Sequence, residues 1–189
     1  MLENKILQLK KNFSNIIVAT DDELHMSVAE LNNVAWYKRS VESATDTAPM
    51  HIIIGEVSKI VKTKNIVFAP CVSPLFDEFE RALLEYEKNV VFGEYDSLIG
   101  VNEIREFLLS SDGHPINYSS LLSPPRSQEL SSVYSISNSV YMAPTDLVQK
   151  NNYWIGLKPY LFKHDSTIDI DSKEDFVAAE KAFLSKVWK

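Results

Sequence analysis

The sequence is short of cysteine and of long apolar runs, and each shortage excludes a class of protein. The single cysteine, Cys71, can form neither an internal disulfide nor a cysteine-based zinc site, and its apolar neighbours favour a small core residue over a nucleophile. No apolar stretch approaches the roughly 18 residues of a transmembrane helix. The first residues, Met-Leu-Glu-Asn-Lys, lack the pattern of a signal peptide. We therefore expect a cytoplasmic protein with no membrane partner.

Basic residues are also too few for a nucleic-acid-binding protein. Lysine and arginine number 19 against 26 acidic residues, which gives a net charge of −7. Nucleic-acid-binding surfaces usually carry a basic patch or stripe, so we expect no nucleic-acid partner. A ligand that bears phosphate would need local cations or a metal ion. The four histidines show no metal-binding spacing, and we interpret them as structural: His25, His51, His114 and His164.

The first half of the chain alternates between strand and helix patterns. A length of 189 residues, 45% hydrophobic and 24% charged, is typical of one soluble globular domain. Apolar periodicity predicts helices at 2–12, 22–31, 48–62 and 73–88 and strands at 15–20, 34–37 and 64–69. For the third helix we expect Asp46 or Thr47 as the cap and an inner stripe of Ile52, Ile53, Val57, Ile60 and Val61. This alternation predicts an open, mostly parallel sheet with helices on both faces, which binds ligands at the carboxyl ends of its strands.

The second half has a different character. The patterns predict strands at 96–101, 137–142 and 156–162, a hairpin at 107–118 around Asp112-Gly113, and a polar loop at 119–132. A short helix is predicted at 144–149, and a last helix at 172–187 that buries Phe176, Ala179, Phe183 and Val187. No repeat or linker divides the chain. We expect a single domain over 1–189, with an arm at about 104–135 outside the main sheet.

The most informative stretch is acidic and precedes the last helix. In a strand at 168–171, Asp169 and Asp171 would face one side while Ile168 and Ile170 pack on the other. Two carboxylates on one side suit Mg²⁺, which proteins usually hold through one or two carboxylates together with substrate phosphates. Alternatively, Asp171 is the N-cap of the helix and Glu174 completes a capping box. The two roles do not exclude each other.

Seven short motifs carry a family resemblance in consistent order. They are Ile16–Asp22, the set Arg39, Ala44, Asp46 and Thr47, Ser73-Pro74-Leu75, Asp96–Val101, Arg126-Ser127-Gln128, Asn138-Ser139-Val140-Tyr141, and Ile168–Asp171 with Asp175-Phe176 and Ala179-Glu180. With these motifs the chain resembles the acylneuraminate cytidylyltransferase family, the enzymes that make CMP-activated sialic acids and related nonulosonic acids. The resemblance extends over about 165 residues, from Ile16 to Glu180.

The resemblance implies a fold, a reaction and a set of site residues. The fold would be an α/β nucleotidyltransferase (Rossmann-like) sheet with a β-hairpin dimerisation arm. In the reaction, the anomeric hydroxyl of a sugar acid attacks the α-phosphate of CTP and releases pyrophosphate. Asp169 and Asp171 would hold Mg²⁺, and Arg39 and Asp46 would lie beside the nucleotide. The acidic sugar would face Arg126, Gln128 and Asn138. A homodimer, or pairing with a related chain, is also implied, and no residue is assigned as catalytic.

Several of these residues also have simpler interpretations. Arg39 could pair with Glu42 or Asp46 on the surface, and Asn138 could satisfy backbone groups in a strand. We interpret Asp21 and Asp22 as helix caps and turn formers rather than ligands.

The chain also departs from the family pattern. Nothing in it corresponds to the family's first strand and phosphate-binding loop, and that strand would lie between the strands at 15–20 and 64–69. Either another segment or chain fills this position, or the two strands close up against each other. Pro70-Cys71-Val72, Phe76 and Ser139 replace a polar turn, an arginine and a glycine. Two alternatives to an active cytidylyltransferase therefore stand: an inactive homologue that acts as a binding or regulatory subunit, and a transferase that uses another phosphate donor.

Overall fold

A computed structural model describes residues 1–165 and 167–185, in which helices and strands alternate. The helices are α1 (Leu2–Lys10), α2 (Glu23–Leu31), α3 (Met50–Ile60), α4 (Phe79–Tyr86), α5 (Thr145–Asn151) and α6 (Lys173–Ser185). The strands are β1 (Ile17–Thr20), β2 (Ala35–Lys38), β3 (Asn65–Phe68), β4 (Ser97–Ile104), β5 (Val133–Pro144) and β6 (Pro159–Lys163). A single π-helical turn, Glu87–Val91, extends α4. No helix in the described ranges is both long and apolar enough to cross a membrane.

The strands form two sheets. The smaller contains β1 and β2 in parallel. The larger has the order β3-β5-β4-β6, in which β4 and β6 are parallel and β5 runs antiparallel to both β3 and β4. Strands β3, β4 and β6 therefore share one direction, and the expected α/β fold with parallel strands and packed helices is confirmed.

Strands β1 and β3 are not joined by a ladder in the described part of the chain. On β1, the Thr20 carbonyl accepts a hydrogen bond from the Arg39 N–H (3.0 Å) on the side of β2. Because backbone groups alternate along a strand, those of Ile17 and Ala19 point the other way. On β3, the Lys64 carbonyl accepts from the Thr145 N–H (2.9 Å), which leaves the groups of Val67 directed away from β5. The two strands have not closed up into one sheet.

Helices connect the two sheets instead. On one face, two side chains of α1 donate hydrogen bonds. Lys10 Nζ donates to the carbonyl of Asn32, just after α2, and Asn4 Nδ2 donates to the carbonyl of Pro74, after β3 (2.8 Å). On the other face, α3 accepts a hydrogen bond from Tyr37 of β2 through Glu56 (3.0 Å) and packs Ile54 into the core of the larger sheet.

The larger sheet has an apolar core on each face. Alternate residues of a strand point to opposite faces, so neighbouring positions in β4 and β5 enter different cores. One core contains Ile54, Ile66, Ile99, Val101, Tyr141, Ala143, Val148 and Trp154. The other contains Phe76, Phe79, Ala82, Tyr86, Leu98, Val140, Met142 and Phe162.

Two helices begin later than the sequence predicted. Helix α3 follows Pro49, not a cap by Asp46 or Thr47, because the fixed φ of proline (−62°) suits the entry to a helix. Its buried residues are Ile54, Gly55 and Ser58. The residues of the expected stripe, Ile52, Ile53, Val57, Ile60 and Val61, are only half-buried, and of these Val61 packs against a core of the larger sheet. Helix α4 begins at Phe79 rather than near Ser73, because the carbonyls of the preceding turn bind side chains of α1.

The predicted burial of the last helix was largely wrong. Ala179 is buried, whereas Phe176 and Phe183 are 43% and 59% exposed, and Val187 lies outside the described residues. The hairpin turn is present at Gly113 (φ +83°), with one antiparallel bridge between Leu109 and Pro115. The use of this arm for dimerisation stays a prediction.

Candidate functional site

A bulge in β5 presents polar side chains at the carboxyl end of β3. Ile99 pairs with Tyr141 and Val101 with Ile136, so one residue of β4, Gly100, lies opposite four residues of β5. We call these four residues, 137–140, the β5 bulge. Asn138 within it has φ +47°, a left-handed conformation that asparagine tolerates better than most residues. The bulge directs the Asn138 side chain outward while its neighbours, Ser137 and Ser139, are buried.

The Asn138 amide connects a tyrosine to an aspartate. Its Nδ2 donates to Asp169 Oδ2 at 2.8 Å, and its Oδ1 accepts from the Tyr141 hydroxyl at 2.6 Å. Burial, and then the charges of Tyr153 and Asp169, raise the pKa of Tyr141 to about 12, so the phenol keeps its proton and remains a donor. The Asn138 side chain therefore orients Asp169 and does not satisfy backbone groups.

Asp169 has one oxygen free for a further ligand. Its Oδ1 is buried and has no hydrogen-bond partner among the residues that the structure describes. Leaving a carboxylate oxygen in this state is costly unless a donor or a cation completes its shell. Oxygen ligands are what Mg²⁺ prefers, so this donor fits the expected metal. Asp171 is exposed two residues further along the same segment.

The segment that carries Asp169 is not the strand predicted at 168–171. The Ile170 N–H donates to the Val72 carbonyl (2.8 Å) in the loop after β3, and residues 167–172, as described, form no ladder. This loop is flanked by Pro70 and Pro74, which lack the N–H groups that a ladder requires.

The capping role predicted for Asp171 is also wrong, because Ser172 caps α6. Ser172 Oγ accepts from the Asp175 N–H (3.2 Å), and Asp175 Oδ2 accepts from the Ser172 N–H (2.9 Å). This is a capping box one residue later than predicted, and Asp175 takes the place expected for Glu174. Asp171 is left without a capping function.

A second polar group forms where β1 and β2 end. Arg39 Nη2 binds Asp21 Oδ1 at 2.6 Å, and its Nη1 donates to the Ser43 carbonyl at 3.1 Å. The predicted surface partners, Glu42 and Asp46, were therefore wrong. The hydrogen bond from Arg39 lowers the pKa of Asp21. Arg39 Nε is buried and has no partner in the described part of the chain.

Asp22 and Asp46 occupy different positions in this region. Asp22 caps α2 as expected, accepting from the N–H groups of Leu24 (2.7 Å) and His25 (3.3 Å). Asp46 is exposed in the loop before α3. Its predicted role beside the nucleotide stays a prediction, as does that of Arg39.

Glu56 of α3 was missed by the sequence analysis. It accepts from the Ser40 N–H (2.7 Å), the Ser40 hydroxyl (2.6 Å) and the Tyr37 hydroxyl (3.0 Å), and lines a cleft of about 520 Å³. Partial burial opposes ionisation, but the hydrogen bonds, first among them that from Ser40, lower the pKa of Glu56 to about 2. A helical glutamate is usually solvated, so nothing in the sequence pattern singled it out.

Lys5 was missed for a similar reason. It is 1% exposed, and its Nζ donates to the carbonyls of Ser73 (2.9 Å) and Phe76 (3.1 Å). Gln8 Nε2 donates to the Pro74 carbonyl (2.9 Å) in the same turn. Helix α1 thus holds the turn that precedes α4, next to the loop that binds Ile170.

The remaining predicted site residues, Arg126 and Gln128, lie on the arm. Arg126 pairs with Glu129 (Nε to Oε1, 3.0 Å) across a single 3₁₀ turn and is exposed. Gln128 lines a cavity of about 310 Å³ together with Glu103 and Arg105. No hydrogen bond in the described residues joins either side chain to Asn138 or Asp169, and their contact with a sugar acid stays a prediction.

Comparison of whole folds gives clear matches, although no family model matches the sequence and no curated protein resembles it. A CMP:2-keto-3-deoxy-manno-octonic acid synthetase complexed with CTP has a TM-score of 0.70 at 11% identity, over 98% of this chain and 88% of that one. The 4-diphosphocytidyl-2C-methyl-D-erythritol synthase of Anaerococcus prevotii has a TM-score of 0.66 at 16% identity, over 97% and 88%. The bifunctional IspDF of Campylobacter jejuni has a TM-score of 0.57 at 12% identity, over 87% and 42%. The chain therefore has the fold of these enzymes.

Proposed function

We propose that this chain, which has the fold of two synthases of cytidylyl compounds, is itself a cytidylyltransferase. It transfers CMP from CTP to a nonulosonic, sialic-like sugar acid and releases pyrophosphate. Support for the nucleotide comes from the fold, since one structure that resembles it holds CTP. Support for the sugar acid comes from the motif resemblance over Ile16 to Glu180.

The observation that carries the proposal is the state of Asp169. One oxygen is fixed by Asn138 at 2.8 Å, while the other is buried and has no partner within residues 1–165 and 167–185. Such a carboxylate is oriented for one more interaction, and it lies near the carboxyl end of β3, because Tyr141 is paired with Phe68. Ligands of open α/β sheets bind at this edge.

Asp169 and Asp171 are the residues that would hold Mg²⁺. When bound, the ion would neutralise and align phosphate oxygens of CTP. Asn138 keeps Asp169 in one orientation, and Tyr141 keeps Asn138 in place. The net charge of −7 makes such local compensation necessary for a triphosphate ligand.

The other predicted residues would act by binding. Arg39, held in place by Asp21, would offer its guanidinium to the nucleotide, with Asp46 nearby. Arg126, Gln128 and Asn138 would contact the acidic sugar. For Arg126 this requires release from Glu129, an exposed pair whose separation costs little.

The test is calorimetric titration of the chain with CTP and Mg²⁺, together with a pyrophosphate-release assay on sialic acid and on 2-keto-3-deoxy-manno-octonic acid. We expect CTP binding that requires the ion, and Asp169→Asn is expected to weaken Mg²⁺ affinity at least about 10-fold, since it removes a charged ligand. Glu174→Gln, an exposed position in the first turn of α6, is the matched control and should leave binding unchanged. Absence of CTP binding at millimolar concentration would reject the proposal for this chain alone and favour a binding or regulatory subunit.

The arm supports a homodimer, or pairing with a related chain, as the assembly. Between 104 and 135 it exposes Phe107, Leu109, Ile116, Leu121 and Leu122, the last at 98%. Large apolar side chains grouped on one segment are typical of contact surfaces. Light scattering should show a dimer that Leu122→Asp weakens; a monomer at all concentrations, with no partner recovered by pull-down, would contradict this assembly.

A further inference from the structure

A buried polar cluster lies directly behind Asn138. His164 Nε2 is 2.7 Å from Ser137 Oγ and 2.9 Å from Ser139 Oγ, and the two hydroxyl oxygens are 2.7 Å apart. Ser137 and Ser139 are 3% and 0% exposed. We call these three side chains the serine–histidine triangle. The two serines are the residues that immediately flank Asn138 in the β5 bulge.

The hydrogen bonds of the triangle determine the state of the imidazole. His164 Nδ1 lies 2.6 Å from the Asp165 carbonyl, which can only accept, so Nδ1 carries the proton. Nε2 then accepts from one serine hydroxyl, and the other serine donates to the first. Burial lowers the pKa of His164, which keeps the ring neutral.

The surroundings of the triangle leave it little freedom. The His164 ring packs edge-on against Phe76, with the ring centroids 4.9 Å apart. Ser73 Oγ donates to the Ser137 carbonyl at 3.2 Å. A Cβ on Gly100 would lie 2.2 Å from Ser139 Oγ and 2.8 Å from Ser137 Oγ, so only glycine leaves room for the hydroxyls at this place.

The triangle stabilises the left-handed backbone conformation of Asn138 relative to the other conformations that an asparagine can adopt. Asn138 has φ +47° within a strand, and conformations of this kind persist only where the surroundings over-determine them. Here the surroundings are the two serine side chains anchored on His164. With both flanking residues fixed, the Asn138 amide reaches Asp169 Oδ2 at 2.8 Å.

We propose that His164 is a positioning residue of the site, which acts through Ser137 and Ser139 to hold the Asn138 amide against Asp169. Its effect on the cation rests on the proposed function, whereas its effect on Asn138 does not. Outer contacts that orient a metal ligand usually change metal affinity by 10–100-fold.

The first measurement requires no ligand. The side-chain amide resonances of Asn138, recorded by ¹⁵N–¹H NMR, report its hydrogen bond to Asp169, and Asp169→Asn supplies the reference for a changed partner. His164→Phe keeps the aromatic packing and removes both ring hydrogen bonds, and Gly100→Ala crowds the two hydroxyls from the opposite strand. We expect both variants to shift the Asn138 resonances, whereas the buried control Ile6→Ala on α1, where the isoleucine is 1% exposed, should not.

The second measurement is a double-mutant cycle on Mg²⁺ affinity by calorimetry. His164→Phe is expected to weaken Mg²⁺ binding about 10-fold in the wild-type background and less than about 2-fold in Asn138→Ala, because it acts through that residue. Equal losses in both backgrounds would show a general structural effect and overturn the proposal. So would unchanged Asn138 resonances in folded His164→Phe and Gly100→Ala. If the wild type binds no Mg²⁺ but the resonances shift as expected, the proposed function fails and the positioning role stands.

Discussion

The buried ammonium of Lys5 predicts a specific dependence of stability on pH. Burial, partly offset by the nearby Cys71 and Asp77, lowers the pKa of Lys5 from 10.5 to about 8 in the folded protein. The unfolded chain therefore binds more protons than the folded one between these two values, so the free energy of unfolding rises with pH in this window. Below about pH 8 the folded state carries the full cost of the buried charge, which the pKa difference puts at about 3 kcal/mol.

The perturbation is Lys5→Met, which fills the same space without a titratable group. Between about pH 7 and about pH 9.5, Lys5 should add about 2 kcal/mol to the free energy of unfolding of the wild type, and this gain should be missing from the variant. The variant also leaves the carbonyls of Ser73 and Phe76 without their donor. The free energy lost with these hydrogen bonds does not vary with pH. It therefore cancels when the free energies of unfolding of one protein at the two pH values are subtracted.

Urea unfolding followed by tryptophan fluorescence at the two pH values measures the difference. Because burial raises the pKa of Cys71 and the Lys5 charge lowers it, both proteins carry Cys71→Ser, and groups away from Lys5 titrate alike in both and cancel in the double difference. Lys11→Met is the matched control, because Lys11 follows the same helix with a side chain that is 60% exposed, and it should behave like the wild type. Equal pH dependence in wild type and Lys5→Met would refute the reasoning that Lys5 is buried as an ammonium.

Two further predictions concern close contacts in the fold. Gly156→Ala should lower the free energy of unfolding in urea by about 1–3 kcal/mol, because the added Cβ would lie 2.3 Å from the Asp96 carboxylate. That carboxylate accepts hydrogen bonds from the N–H groups of Leu157 and Lys158. A change below about 0.5 kcal/mol would contradict the geometry. The pKa of Glu56 is lowered from 4.5 to about 2, so its contribution to stability is present above about pH 4.5 and is lost as the pH falls toward 2. Glu56→Gln should therefore flatten the acid limb of thermal unfolding, and an unchanged limb would count against the hydrogen bonds from Ser40 and Tyr37.

The sequence was sufficient to predict the secondary structure of the first half and the class of the fold. Apolar periodicity is a local property, so α1, β1, α2, β2 and β3 begin and end within a few residues of the predicted limits. Predictions of which side of a helix is buried were less accurate. The side chain of Asn152 packs against Gly55 of α3, and α6 leaves Phe176 and Phe183 exposed. Neither arrangement is encoded within the helix itself.

The candidate site could be predicted only in part. The motif resemblance identified Asn138 and Asp169, which the structure joins across 31 residues of chain. It could not identify Lys5, Glu56 or His164 as partners in the site's surroundings. Their roles depend on carbonyls and hydroxyls 68, 16 and 27 residues away, and such pairings follow from how the sheet and helices pack.

The break in the sheet between β1 and β3 also separates what the sequence determines from what the tertiary structure decides. The residues of β1 and β3 determine by their own composition that each is a strand. Whether the two strands pair is decided by tertiary structure, in which α1 and α3 connect the sheets and the backbone groups of Ala19 and Val67 stay directed away from β2 and β5. Strand propensity is a property of a segment, whereas a ladder is a property of two segments brought together. Sequence alone therefore determined most elements of the first half and predicted Asp169 as a candidate ligand, and the tertiary structure decided which groups meet Asp169 and which of its oxygens has no partner among the described residues.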